Sequence, residues 1–451
     1  MSKESINKRG SFSSSLGFVI AAAGSAIGLG NLWKFPYIAG SSGGGLFLLL
    51  YILFVIILGI PLLLAEMSLG RKTQLSAVGA YKSLNKKWSF VGGICVACSF
   101  IILSYYSVVG GWVLKYCWTY LAGGRFGADK QAYFSNFISN PTEPAMWHIL
   151  FIGICAAIII LGVEKGIEAS SKILLPGLFV LIIIVAIRSC TLEGSLEGIK
   201  FMFVPKFEAI SDLKHLIDVV FSAMGQVFFS LSLGLGITIT YGSYLKKDTN
   251  LQKNSLIVSG LDTLVAVLAG LAIFPAVFAF GYEPAAGPGL IFGILPAVFE
   301  SMSFGSILGF AFFVLIFIAA ATSAMALLEV TTAFLIDNFG WKRVTATITM
   351  ASLIAIVGVF ASLSMGSLSN LKVFGLNIFD AMAYLTDKIL MPLSAMFMCI
   401  FVGYILGPDK LSDEIEYGSK SFKFRKPFSL VLRYIAPLII AGIFVMGLFT
   451  K

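Results

Sequence analysis

Three glycines within seven residues, Gly24, Gly28 and Gly30, interrupt an apolar run that extends from about residue 16 to residue 38. Glycine weakens a helix, and a bilayer offers no partner to a bare N–H or C=O, so backbone that unwinds at that depth must line something polar. A second run, from about residue 216 to 245, is broken in the same way by Ser230-Leu231-Ser232-Leu233-Gly234-Leu235-Gly236. Two matched broken segments point to a binding site near the membrane midplane. Close helix packing is the competing reading, because Gly24 and Gly28 also have small-x-x-x-small spacing. Packing alone does not call for Asn31 beside one cluster and Ser230 and Ser232 within the other, where each polar group must find a partner in apolar surroundings.

The rest of the chain is of the same kind. Its 451 residues are 58% hydrophobic and 12% charged, with a mean hydropathy of +0.93, the composition of a polytopic membrane protein with no separate soluble domain. About eleven apolar runs are long enough to cross a bilayer, near residues 16–38, 44–69, 90–122, 146–163, 170–188, 216–245, 255–281, 306–338, 342–363, 378–406 and 428–450. The fold expected is therefore an all-α membrane domain covering residues 1–451. The first run lacks a small-residue cleavage pattern and ends in Trp33-Lys34-Phe35-Pro36, so it is read as a span and not as a cleaved signal.

Most of the 32 Lys and Arg fall in the amino terminus and after even-numbered runs, as Arg71, Lys72, Lys82, Lys86 and Lys87 do. This pattern places the amino terminus in the cytoplasm and, with an odd number of spans, the carboxyl terminus outside. The net charge of +9 is then topological, and its dispersal over many short loops argues against a nucleic-acid partner. Membrane lipid is the partner the composition requires, and pairing of two copies is left open.

Two histidines, His148 and His215, and six cysteines inside or at the ends of spans supply neither a metal cluster nor a disulfide frame. Cys95-x-x-Cys98 reads as small packing residues on an apolar helix. No nucleophile–base or metal motif supports an intramembrane enzyme, and no G-x-x-x-x-G-K-[ST] loop supports ATP binding. A channel would require one continuous polar pore, whereas the polar residues here gather at one depth. Glu66, Asp262, Glu329, Asp337 and Asp380 interrupt apolar runs, each either a functional group or a helix end reaching for water. The segment 282–304, with Pro284, Gly287, Pro288, Gly289 and Pro296, reads as an external loop holding a short helix near 290–299; it either folds back as a lid or lies on the membrane surface.

The run Gly24-Ser25-Ala26-Ile27-Gly28-Leu29-Gly30-Asn31-Leu32-Trp33-Lys34-Phe35-Pro36, followed by Gly43-Gly44-Gly45, Gly59-Ile60-Pro61-Leu62, Glu66 and Gly70-Arg71, closely resembles the neurotransmitter:sodium symporter family. Residues 225–234 (GQVFFSLSLG), Thr322-Ser323 and Gly407-Pro408-Asp409-Lys410 extend the resemblance across nearly the whole chain. It implies a bacterial amino-acid transporter of the cytoplasmic (inner) membrane. The implied fold is an inverted repeat of spans one to five (1–190) against six to ten (216–406), with the first and sixth unwound, and an extra span at 428–450.

The resemblance also implies two sodium sites. The first would use the carbonyl of Ala26 and the side chains of Asn31, Ser230 and Asp262, completed by a substrate carboxylate. The second would use the carbonyls of Gly24, Ile27 and Ala319 with the hydroxyls of Thr322 and Ser323. The substrate carboxylate is expected against the amides near Leu29 and Gly30, at the positive end of a half-helix, with Tyr106 as a donor and Tyr105 as the rival that merely packs. Ser25, Ile102, Phe229, Ser232, Leu235, Ser323 and Leu327 would line the side-chain pocket, beside Ala26 and Ser230. Leu235 stands where a leucine-preferring relative has phenylalanine, which enlarges the pocket and points to an aromatic substrate, tyrosine first.

Three departures matter. Ala266 and Asp262 stand where chloride-dependent members have serine and asparagine; a fixed carboxylate, with Tyr51, Gln226 and Ser230 around it, is expected to replace chloride and to carry a proton on the return step. Lys34 fills the basic role of the external gate, but Ala383 occupies the acid's usual place, so Asp380 one turn earlier is expected to reach Lys34. Phe12 replaces the tryptophan of the cytoplasmic latch, whose pair Arg9 and Asp337 is retained, with Tyr244 nearby. The expected function is sodium-coupled, chloride-independent uptake of a neutral amino acid; the alternatives are a sodium-dependent sensor that binds without transport, and a proton-coupled carrier.

Overall fold

A computed structural model describes residues 10–205, 207, 213–282, 289–419 and 421–449. Among these residues the protein is all helical, with only isolated bridges outside the helices. Nine helices among the described residues are long and apolar enough to cross a bilayer unaided. In chain order the elements are α1 (Ser15–Ala26), α2 (Gly30–Ser41), α3 (Gly45–Thr73), α4 (Ala77–Leu84), α5 (Lys86–Leu121), α6 (Lys130–Ser139), α7 (Glu143–Ile160), α8 (Val163–Cys190) and α9 (Ser195–Phe203). They continue as α10 (Leu213–Ser230), α11 (Ile237–Gly242), α12 (Leu251–Ala279), α13 (Leu290–Glu300), α14 (Gly305–Phe339), α15 (Arg343–Leu363), α16 (Ile378–Leu406), α17 (Pro408–Tyr417) and α18 (Arg425–Gly447). The α1/α2 pair, bent by 45° at Ile27–Leu29, adds a tenth crossing. The α10/α11 pair, whose first turns carry Lys214, His215 and Asp218, is the other broken helix and corresponds to the apolar run 216–245.

Both breaks occur where the sequence places glycine. Ser14 caps α1 by accepting from the Gly17 amide at 3.0 Å, and the helix stops where the Gly28 amide turns aside to the Asn31 side chain (3.2 Å). The second break needs left-handed backbone at Ser232, Gly234 and Gly236 (φ 54, 78 and 73°); the two glycines adopt it freely, and only Ser232 is strained. Its amides find partners one by one. That of Gly234 donates to Glu66 Oε1 at 2.8 Å, and the Thr238 hydroxyl donates to the other carboxylate oxygen. Glu66 is thus no helix end reaching for water: buried on α3, it clamps the unwound segment.

The long α5 and α14 share the most extensive interface and carry α1, α7 and α15 on their flanks. Glu329, fully buried on α14, takes two hydrogen bonds from Arg343 at 2.7 and 2.8 Å and one from the Tyr244 hydroxyl at 2.5 Å. Arg71, read from sequence as a loop charge, is wholly buried: Glu414 on α17 accepts from its Nε at 2.9 Å, and the carbonyls of Glu414 and Thr249 accept from the other nitrogens.

At the opposite end α13 turns inward. Phe292 stacks on Phe134 (centroids 4.9 Å apart) and meets Trp112 and Trp33 edge-on, while its carbonyl accepts from the Tyr116 hydroxyl at 2.8 Å. With Leu290, Ile291 and Phe292 buried, the segment is a plug and not a membrane-surface helix.

Candidate functional site

The two breaks face each other at Asn31. Its Nδ2 donates to Ser230 Oγ (3.0 Å), to Asp262 Oδ1 (2.8 Å) and to the Asp262 carbonyl (3.1 Å). The second carboxylate oxygen of Asp262 accepts from the hydroxyls of Ser230 (2.7 Å) and Tyr51 (3.0 Å). Asp262 is fully buried, and every one of these partners is neutral. A carboxylate held by neutral donors in an apolar surround is costly unless a cation joins it. α12 begins at Leu251, so Asp262 lies about three turns inside the helix, deeper than the apolar run indicated, and the helix-end reading is ruled out.

A second group of oxygens lies on the other side of α1. The Thr322 hydroxyl bonds the Ile318 and Ala319 carbonyls (3.0 and 3.1 Å) and that of Ser323 bonds the Ser25 carbonyl (2.8 Å). In an unbroken helix the Gly28 amide would bond Gly24 O, but it is drawn to Asn31, which leaves the Gly24 carbonyl available beside Thr322. Gly24 and Ser25 therefore meet Thr322 and Ser323, with the Ala319 carbonyl one turn away, where the α1 break crosses α14, and Ile27 follows within the break.

Between the two groups is a cavity of about 30 Å³. Ser25, Ala26, Leu29 and Gly30 line it from the first break, Ile102 and Tyr106 from α5, Phe229, Ser232 and Leu235 from the second break, and Ser323 and Leu327 from α14. Gly28 and Ile237, which the sequence reading did not include, complete the wall; Ser230 sits behind it, in the Asp262 cluster. Of the two tyrosines, Tyr106 is the one that lines the cavity. Tyr106 Oη accepts from the Leu29 amide at 3.2 Å, whereas Tyr105 turns toward Thr386 and Phe379. Ser25 Oγ is buried and has no hydrogen-bond partner among the described residues, so the wall offers an unused polar group to whatever occupies the cavity.

Phe229 also lines an outer crevice of about 450 Å³, together with Lys34 and Asp387. Its ring is thus the partition between crevice and cavity, and Lys34 Nζ lies 3.8 Å from its centroid. The gate contact differs from expectation. Lys34 pairs with Asp387 at 2.6 Å, while Asp380 is exposed and is engaged with Asn377 at the start of its own helix. Asp380 is one turn short of Ala383, and Asp387, a turn beyond it, is the acid that Lys34 meets. As one more carboxylate inside the run 378–406, Asp387 was detectable by the same rule that singled out the others.

With this geometry in view, comparison with known proteins is decisive. The sodium:neurotransmitter symporter family model matches residues 9–124 and 129–451. The chain belongs to that family. An uncharacterized sodium-dependent transporter of Bacillus subtilis is 40% identical over 439 residues, 96% of each chain. One from Haemophilus influenzae is 35% identical over 458 residues, 98% of this chain and 99% of its own. The crystal structure of MhsT in complex with L-phenylalanine superposes with a TM-score of 0.90 at 43% identity, over 97% of this chain and 100% of that one. This symporter is accordingly a sodium-dependent, multi-pass membrane transporter and not an enzyme.

At the end that carries Lys86 and Lys87, Phe12 is buried edge-on against Phe18, Tyr241 and Tyr244, filling the place expected of a latch tryptophan. Asp337 accepts from the Ser76 amide at 2.8 Å; its expected partner Arg9 lies outside the described residues. All six cysteines are free thiols, and no group of His, Cys, Asp and Glu among the described residues is arranged to hold a metal ion.

Proposed function

We propose that this transporter drives a neutral, aromatic amino acid, tyrosine first, into a bacterial cell by symport with two sodium ions and without chloride. The observation that carries the reading is the pairing of Tyr106 Oη with the Leu29 amide on one wall of the cavity and the Asn31–Ser230–Asp262 cluster behind the other. A substrate carboxylate fits between the positive half-helix end and one sodium, which the Ala26 carbonyl, Asn31, Ser230 and Asp262 hold. The second sodium belongs with Gly24, Ile27, Ala319, Thr322 and Ser323. Oxygen-rich, mostly neutral cages suit a hard monovalent cation.

MhsT, the similar structure, was solved with L-phenylalanine, and Leu235 takes less space than a phenylalanine at that position would; both support an aromatic substrate. Because the cavity holds only about 30 Å³, Phe229 and its neighbours must move aside as the ring comes in. Asp262 takes over the role of chloride and exchanges a proton on the return step. The end with Lys86 and Lys87 faces the cytoplasm, Lys34 and Asp387 form the outer gate, and residues 1–190 and 216–406 act as the two repeats.

The energetics are sufficient. Two sodium ions, each descending a tenfold gradient and about 100 mV, release about 7 kcal/mol, enough for roughly 10⁵-fold accumulation of a neutral solute. The test is binding of radiolabelled tyrosine to purified protein with sodium replaced by potassium, in competition with other amino acids. Sodium-dependent binding displaced best by aromatic amino acids is expected. Binding indifferent to sodium would overturn the cation sites and favour a proton-coupled carrier, and binding without flux in proteoliposomes would leave a sensor.

A further inference from the structure

A groove of about 350 Å³ runs along the outside of the bundle where α5, α14 and α15 meet. Its floor is Gly93 and Ala97, one helical turn apart on α5, and its walls include Phe100, Phe334, Met350 and Leu353. A Cβ on Gly93 would meet no atom within 4 Å, so this glycine is not explained by close packing between helices.

All three helices place the groove at one depth. It begins seven residues beyond Lys86 on α5, ends five before Phe339 on α14, and starts seven after Arg343 on α15. At 1.5 Å per residue these offsets put it about 10 Å below those helix ends, within the leaflet on the Lys86 side. Above it, at the membrane surface, Lys86, Lys87 and Lys342 are exposed, and none of the three has an acidic partner among the described residues. Trp88 and Trp341 flank them at the depth where aromatic residues mark the interface.

We infer that this groove holds one acyl chain of an anionic phospholipid whose phosphate sits among Lys86, Lys87 and Lys342. Walls that are apolar apart from Thr331, whose hydroxyl turns back to the Leu328 carbonyl at 2.9 Å, suit a hydrocarbon tail, and unpaired lysines one headgroup-length above suit a negative charge. The tail lies on the reverse side of the substrate site. Ile101 faces the groove next to Ile102 at the cavity, and Thr331 faces it one turn from Leu327. Occupancy therefore braces the two helices that carry the site's rigid wall. Of the proposed function, only the naming of this leaflet as cytoplasmic enters here, and the experiment does not depend on it.

The test uses the full-length transporter, stripped of lipid in detergent and titrated with phosphatidylglycerol or phosphatidylcholine, read by native mass spectrometry and by unfolding temperature. Phosphatidylglycerol is expected to be retained at a ratio of one per chain, on the order of tenfold better than phosphatidylcholine, and to raise the unfolding temperature. Ala97→Trp, which fills the floor, should abolish retention. Gly153→Leu, on α7 at another lipid-facing glycine with open space, should not. Lys86→Gln, Lys87→Gln and Lys342→Gln combined should bind both lipids equally, and these exposed changes leave the fold intact even where the tryptophan variant fails to assemble. Equal retention of both lipids by the native protein, unchanged retention in the lysine variant, or full stabilisation by inorganic phosphate alone would each overturn the proposal.

Discussion

At Leu235 a single side chain enters the cavity wall from unwound backbone, and the proposed substrate preference makes it a determinant of the room for a ring. Leu235→Phe should shift selectivity from aromatic toward branched aliphatic amino acids by about 1–3 kcal/mol, or roughly 10–200-fold, the range for small shape changes in apolar pockets; competition binding measures it, and an unchanged ranking would remove Leu235 from the specificity set. Asp262 acts by charge. In Asp262→Asn the cluster keeps its donors from Tyr51 and Ser230 but loses its negative charge, so sodium-dependent uptake in chloride-free medium should fall at least about tenfold, the effect of about 1.4 kcal/mol, and recover in part when chloride is restored. Uptake that is unaffected by the substitution in both media would show that the carboxylate does not stand in for an anion.

Among the elements, the unwound stretch between α10 and α11 depends most on its surroundings. Glu66 alone answers both the Gly234 amide and the Thr238 hydroxyl. Glu66→Ala leaves two buried donors without an acceptor, at about 1–3 kcal/mol each; a lowered unfolding temperature together with weaker substrate binding is the expected result, and a variant as stable as the native protein would disprove the clamp. The breaks themselves were legible from glycine in an apolar run, and Asn31, Ser230 and Ser232 could be placed beside them because buried polar groups must pair. The clamp was not legible, since nothing local says that an acid on α3 will lie against a turn about 170 residues later. Arg71 was misread for the same reason. Its partners, Glu414 and Thr249, arrive from distant segments, and a lone arginine after an apolar run is otherwise indistinguishable from a loop charge.

For the molecule as a whole, the pair proposed as the outer gate joins α2 to α16. Lys34 and Asp387 are 27% and 23% exposed, so their pairing adds no more than about 1 kcal/mol to stability, and the effect proposed for it is on opening and closing. Lys34→Asp or Asp387→Lys should leave the unfolding temperature nearly unchanged while speeding release of bound substrate, and the double exchange should restore slow release. If the double variant releases as fast as either single one, the pair does not act as a gate. The many-helix membrane architecture, the two breaks and nearly all of the cavity wall followed from composition, glycine placement and family resemblance. The gate acid did not, because Asp380 and Asp387 differ by two helical turns that only the tilt of α16 against α2 can distinguish.

The hydroxyls of Thr322 and Ser323 already lean on helix carbonyls, so a cation arriving between α1 and α14 need not rearrange any chain segment. It has only to turn two hydrogens aside about their C–O bonds, a torsional event of picoseconds to nanoseconds, whereas the swing of a membrane helix takes microseconds to milliseconds. For the sodium proposed at that crossing, turning the hydroxyls is therefore not the slow step. Such an ion would weight the populations of the transporter's conformations, and the rotation of its ligands would not set the pace of the turn.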